Sequence, residues 1–220
     1  MYDMDMENKK DIQFMEIRKV TGFVLPVGNG AVGKSTLPAV LDMQNGPEGR
    51  QGKSLNLEFG YVTDQLVIRD QAYQVMQQYL VPPGQKENEG ISGGRSFEQV
   101  METYSFMVKQ IDVVLLSYKL VELDSFNDLE FWVTRALEFS QPTTQFILVG
   151  THLDMEHSRE VTQEMTVSGS AFIRERIQQK YPDWQGKVPS FEISAINKQN
   201  TALLRNAVSV GILRSRKALG

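Results

Sequence analysis

The sequence predicts an α/β fold, a mostly parallel sheet covered by helices on both faces. Two observations carry this. Short apolar runs of the buried-strand kind alternate with helix-like stretches along the 220 residues. A glycine-rich loop also follows the first of these runs directly. Composition agrees, since 41% hydrophobic and 23% charged residues are ordinary for a soluble globular chain. The expected organisation is a flexible N-terminal tail over residues 1–12 and one domain over residues 13–220, with no internal repeat.

The elements follow in order. Phe23-Val24-Leu25-Pro26-Val27 ends a first strand, and Leu55 to Val62 with Ala72 to Val81 read as a β pair. Ile111 to Leu116, Phe146 to Val149 and Phe191 to Ile193 are further short strands. Ser96-Phe97-Glu98-Gln99 is a capping-box pattern, followed by Val100, Met101, Tyr104, Met107, Val108 and Ile111 at helical spacing. Ser125 opens a second helix with Phe126, Leu129, Val133 and Ala136 on one face, ending before Pro142. Ala171 to Tyr181 and Thr201 to Lys217 form two more, with long connections expected around residues 85–96 and 155–170.

Several function classes are excluded early. With 23 basic and 27 acidic residues the net charge is −4, so electrostatic capture of nucleic acid is not expected. Zero cysteines exclude a disulfide scaffold, a thiolate metal site and a cysteine nucleophile. Only His152 and His157 are histidines, which argues against a histidine-rich metal centre. No run approaches the ~18 apolar residues of a membrane span. The acidic start and Tyr2 give neither a signal peptide nor a myristoylation site, and no cysteine near Gly220 allows prenylation. A cytoplasmic protein with at most peripheral membrane contact is expected.

One count is uneven. Eleven of 17 glycines lie between Gly28 and Gly94. Gly28-Asn29-Gly30-Ala31-Val32-Gly33-Lys34-Ser35 matches G-x-x-x-x-G-K-[ST], and Thr36 continues it into a helical stretch. Glycines let consecutive backbone N–H groups converge on phosphates, and the helix N-terminus adds a favourable dipole. Lys34 would reach the β- and γ-phosphates, and the Ser35 hydroxyl would ligate Mg²⁺. Gly28, Gly30 and Gly33 also spell the dinucleotide fingerprint G-x-G-x-x-G, but a loop from Gln44 to Lys53 intervenes where its ribose-binding acid should follow. Pro38 sits early in the next helix, where it removes one hydrogen bond.

The base is chosen at the other end of the sheet. Phe146 to Gly150 runs into Thr151-His152-Leu153-Asp154, and Phe191 to Ile193 runs into Ser194-Ala195-Ile196. An aspartate there accepts two hydrogen bonds from guanine's N1–H and amino group, a donor pair that adenine lacks. On these motifs the sequence resembles the Ras-like small GTPase superfamily over roughly Glu16 to Lys217. The family's guanine motif is [NT]-K-x-D. Here histidine replaces the lysine, a variant similar to the Roc domains of Roco proteins. Ser194-Ala195 matches the family's second base motif. A literal N-K-x-D at Asn8-Lys9-Lys10-Asp11 precedes the phosphate loop, follows no strand, and reads as polar tail.

The resemblance implies a three-layer phosphate-loop fold with one antiparallel strand. It also implies GTP/GDP and Mg²⁺ as ligands, and effector, activating and exchange proteins as partners. Its switch segments fall at about 44–56 and 82–96. Lys53-Ser54-Leu55-Asn56-Leu57-Glu58-Phe59 is similar to the Rab-type switch stretch, with Ser54 in the place of the threonine that binds Mg²⁺ and the γ-phosphate. The plain alternative is an edge-strand start. Val81-Pro82-Pro83-Gly84-Gln85 occupies the place of D-x-x-G-Q. Gly84 would contact the γ-phosphate and Gln85 would orient the attacking water. Val81 cannot replace the aspartate that holds Mg²⁺ through water; some bacterial cell-polarity GTPases are similar in lacking it. The alternative for residues 85–96 is an ordinary loop.

His152 is read as packing beside the base, Trp132 and Trp184 as packing residues, and Arg214 to Lys217 as a helix C-terminus rather than a membrane contact. Arg50 or Arg95 would be the candidates for an arginine finger in cis. Gly60, inside a strand, has no assigned role. Two other classes stay open: an interaction module locked on its nucleotide, and an ATPase or kinase using the same loop.

Overall fold

The computed structural model describes residues 16–42, 57–82, 97–104 and 110–219. The strands are β1 (Ile17–Val27), β2 (Glu58–Ile68), β3 (Gln71–Val81), β4 (Val113–Lys119), β5 (Gln145–Thr151) and β6 (Ser190–Glu192). They form a sheet of order β2-β3-β1-β4-β5-β6. All neighbouring pairs are parallel except β2 with β3. The helices are α1 (Leu37–Leu41), α2 (Phe97–Tyr104), α3 (Leu123–Asn127), α4 (Leu129–Glu138), α5 (Gln163–Lys180) and α6 (Thr201–Ser215).

The central strands are apolar without alternation because both of their faces are covered. In β4, Val114 and Leu116 pack with Phe97, Trp132 and Ile173 of α2, α4 and α5. Val113 and Leu115 pack on the opposite face with Leu37 of α1 and Leu204 and Ile212 of α6. In β5, Phe146 and Leu148 divide from Ile147 and Val149 in the same way. The result is three layers with the carboxyl ends of β1, β4 and β5 at one edge.

Several sequence expectations shift. The hairpin is longer than expected, running to a turn at Arg69 and Asp70, both with left-handed φ of 48° and 62°. Ser125 does not open a helix. It is buried in α3, where its hydroxyl donates to Glu122 O at 2.7 Å and accepts from Lys119 N at 2.9 Å. The single helix expected there is two, meeting at Asp128. Helix α5 starts at Gln163 rather than Ala171, capped by Thr162, whose hydroxyl accepts from Met165 N at 3.3 Å. The long connection expected over 155–170 is therefore mostly structured. Ile111 precedes β4 and lies on no described helix.

Gly60 acquires a reason. A Cβ there would collide with the ring of Pro38, so α1 can lie against β2 only if residue 60 has no side chain. Pro38 itself occupies the first turn of α1, where its missing N–H is tolerated. At the other end of α6, Arg216 donates to the buried Asp112 at 2.7 Å, which also accepts from Phe23 N and Ser215 Oγ, each at 2.8 Å. That part of the closing basic stretch serves the fold. No described helix is long and apolar enough to cross a membrane.

Candidate functional site

The phosphate loop leaves the end of β1 and turns into a 3₁₀ segment, Lys34–Thr36, that leads into α1. Gly28 has φ +143°, and a Cβ on it would collide with the carbonyl of Ser117 in β4. Only glycine lets the loop pass that close to the neighbouring strand. Ala31 and Gly33 also take positive φ, 63° and 92°. Val32 is fully buried, and Gly30, Ser35 and Thr36 are half-buried. The N–H of Thr36 closes the turn on Gly33 O at 3.0 Å.

Lys34 curls back over its own loop. Its Nζ donates to Gly28 O at 2.8 Å and Asn29 O at 2.6 Å. The residue is only 6% exposed, and burial pushes its pKa from 10.5 down to about 7. Among the described residues no carboxylate pairs with it. A buried ammonium held by two carbonyls has no counter-charge among the described residues, and an anion would supply one.

Asn29 ties the loop to the helices beside it. Its Nδ2 donates to Asp128 Oδ2 at 2.7 Å, and its Oδ1 accepts from Trp132 Nε1 at 2.7 Å. Trp132 therefore does more than pack: it fixes the loop's second residue, and its ring centroid lies 6.0 Å from Lys34 Nζ. Motif spacing cannot show this, because residue 29 is a free position in the pattern. Asn29→Ala leaves Trp132 Nε1 without its partner. We expect it to cost about 1–3 kcal/mol, read as a fall in the thermal unfolding midpoint. An unchanged midpoint would remove the loop–helix tie.

The second half of the site lies where β5 and β6 end. Thr151 closes β5, and its hydroxyl donates across to Val32 O and Tyr118 O, each at 3.0 Å, while meeting His152 Nδ1 at 2.9 Å. One hydroxyl thus joins the phosphate loop to β4 and β5. His152 has φ 63°, and its pKa is lowered by burial and then by Lys119. Asp154 follows in a 3₁₀ segment, Leu153–Ser158. Its Oδ1 accepts from the buried Ser194 Oγ at 2.6 Å, and Leu153 N bonds Ile193 O at 3.1 Å. Asn197 N donates to the same Ser194 oxygen at 3.3 Å. Ala195 is half-buried, and Ile196 is 80% exposed.

The fold thus brings together Gly28 to Thr36, Thr151, His152, Asp154 and Ser194 along one edge of the sheet. Ser54, Gly84, Gln85, Arg50 and Arg95, with most of both switch segments, lie outside the described residues. Residues 92–204, more than half of the chain, match the family model described as the Ras family. The chain belongs to the Ras family. Guanine-nucleotide binding is the general property of that family, and this Ras-family chain is a nucleotide-binding switch in that general sense. The matched segment holds Thr151, His152, Asp154 and Ser194 but starts after the glycine-rich loop. The reading of that loop rests on its own sequence and geometry. No individual curated protein matches the chain.

Proposed function

We propose that this chain is a guanine-nucleotide switch that binds GTP and GDP with Mg²⁺ and slowly hydrolyses GTP. One observation carries the reading above the others. A carboxylate, Asp154, is oriented by Ser194 at the same sheet edge as the phosphate loop, and Thr151 links the two. In this reading the loop N–H groups and Lys34 hold the phosphates, Ser35 and Ser54 hold the metal, and Thr151, His152, Asp154, Ser194, Ala195 and Ile196 frame the base. Bound Mg²⁺ would neutralise phosphate charge as the γ-phosphoryl group leaves. Lys34 would stabilise the developing charge, Gly84 would contact the γ-phosphate, and Gln85 would position the attacking water.

Competitive binding of GTP and ATP tests the base assignment. A clear preference for GTP is expected, whereas equal affinity would favour the ATPase reading. Single-turnover hydrolysis tests the water-positioning role, and Gln85→Leu is expected to slow it about tenfold or more. An unchanged rate would remove Gln85 from the mechanism. Without an arginine finger such turnover is slow, so an activating partner is part of the proposal, as are effector and exchange proteins and a cytoplasmic location.

Val81 favours a second reading, an interaction module locked on its nucleotide with negligible hydrolysis. It ends β3 fully buried among apolar side chains and offers no metal donor. GTP recovered intact after prolonged incubation with Mg²⁺ would establish that reading.

A further inference from the structure

We propose that Glu58 supplies the metal-site carboxylate that residue 81 lacks. This rests on the nucleotide-switch reading above and names a further residue of that site. Val81 is the last residue of β3, and its antiparallel partner in register is Glu58, the first of β2. Directly opposed residues of an antiparallel pair project from the same face, with Cβ atoms roughly 4.5–5.5 Å apart.

The face is settled by its neighbours. Gly60, two residues along from Glu58, lies against Pro38 of α1, and Val81 packs in the cluster that holds Leu37, Val40 and Leu41. Glu58 therefore stands on the side of the sheet where α1 leaves the phosphate loop. Ser35, Glu58 and Val81 line one cavity of about 270 Å³, which Thr36 and Asp42 also border.

The donor set fits a hard divalent cation. Mg²⁺ takes oxygen ligands, keeps several waters, and is commonly held by one or two carboxylates together with phosphate oxygens. The cavity offers the Ser35 and Thr36 hydroxyls and the carboxylates of Glu58 and Asp42, and nothing from Val81. Moving the carboxylate from one strand to the facing position on the next keeps its charge on the same wall of the cavity. A contact made through water tolerates the changed reach. Asp42 is the other carboxylate, but it closes the far end of α1. That places it roughly 10 Å from Ser35 at 1.5 Å per residue.

The test uses the full chain loaded with a fluorescent GDP analogue. Release is timed across a Mg²⁺ titration, with each variant's release in excess chelator as its own reference. Mn²⁺ binding to the GDP complex is followed by paramagnetic resonance. Glu58→Gln is expected to raise the Mg²⁺ concentration that half-slows release by about tenfold or more, with a matching loss of Mn²⁺ affinity. Adding Val81→Asp to that variant is expected to restore the midpoint by returning a carboxylate to the facing strand. An unmoved midpoint in folded Glu58→Gln, a shift given instead by Asp42→Asn, or no rescue by Val81→Asp overturns the assignment. If the wild type fails to retain GDP even with Mg²⁺, the switch reading itself fails, and this assignment goes with it.

Discussion

Replacing Asp154 by asparagine is expected to lower affinity for GTP by about 100-fold or more and to raise affinity for XTP. Among the described residues the carboxylate is aimed by one bond, Ser194 Oγ to Asp154 Oδ1 at 2.6 Å. That bond leaves Oδ2 and a second lone pair of Oδ1 for a ligand. Guanine presents N1–H and an amino group side by side. Each hydrogen bond to a charged acceptor contributes about 1.5–3 kcal/mol, and two of them set the expected loss. An asparagine can still accept from Ser194 through its own oxygen, so the local geometry survives the change. Its amide N–H₂ then faces the base edge, where guanine's donors are repelled and xanthine's 2-carbonyl can accept. Competitive binding of GTP, ATP and XTP to wild type and variant gives the answer. A variant keeping its full preference for GTP would sink the guanine assignment.

Asp154 and Ser194, the residues proposed to frame the base, were legible in the sequence because each follows a short apolar strand directly, and strand ends define the edge of a parallel sheet. The phosphate loop was legible for the same reason. Gly28 is demanded by backbone approach, as the collision of a Cβ there with Ser117 O makes concrete. What joins the two halves was not legible. Thr151 to Val32 spans 119 residues and Asn29 to Asp128 spans 99, and neither partner carries a local pattern. The break between α3 and α4 is hidden likewise, since Asp128 sits in an otherwise helical apolar period.

The start of α5 was misplaced for a different reason. Ser168-Gly169-Ser170 has the composition of a loop, yet these residues lie inside a helix held by the Thr162 cap and by Thr166, which meets the buried Tyr118 hydroxyl at 2.8 Å. Tertiary contact there outweighs local propensity. Gly60 had no sequence-level explanation because its partner, Pro38, belongs to an element 22 residues earlier in the chain.

Lys34→Met is expected to act in opposite directions on ligand and fold. For nucleotide binding, it removes the one cation in the described loop, and the charge-assisted bonds to phosphate go with it. The loss is on the order of 100-fold, measured by titration with fluorescent GDP. For the nucleotide-free protein the change is favourable. Lys34 is buried, satisfied among the described residues by two backbone carbonyls, and its pKa falls from 10.5 to about 7 because burial disfavours the charge. Methionine keeps the apolar stem without the ammonium, so the unfolding midpoint should rise by about 2–4 °C for each kcal/mol recovered.

The pH dependence gives this a sign. Below about pH 7 the lysine is charged in both folded and unfolded chains, and the folded state bears the whole burial cost. Between about 7 and 10.5 the unfolded chain binds a proton that the folded one does not, so wild-type stability from this group rises with pH. The advantage of Lys34→Met is therefore largest below about pH 7 and shrinks steadily toward 10.5. Thermal unfolding of both proteins across that range measures it. A variant less stable than wild type at every pH would mean that the two carbonyl bonds outweigh the buried charge. The loop would then be built to hold its lysine rather than to hold it ready for an anion.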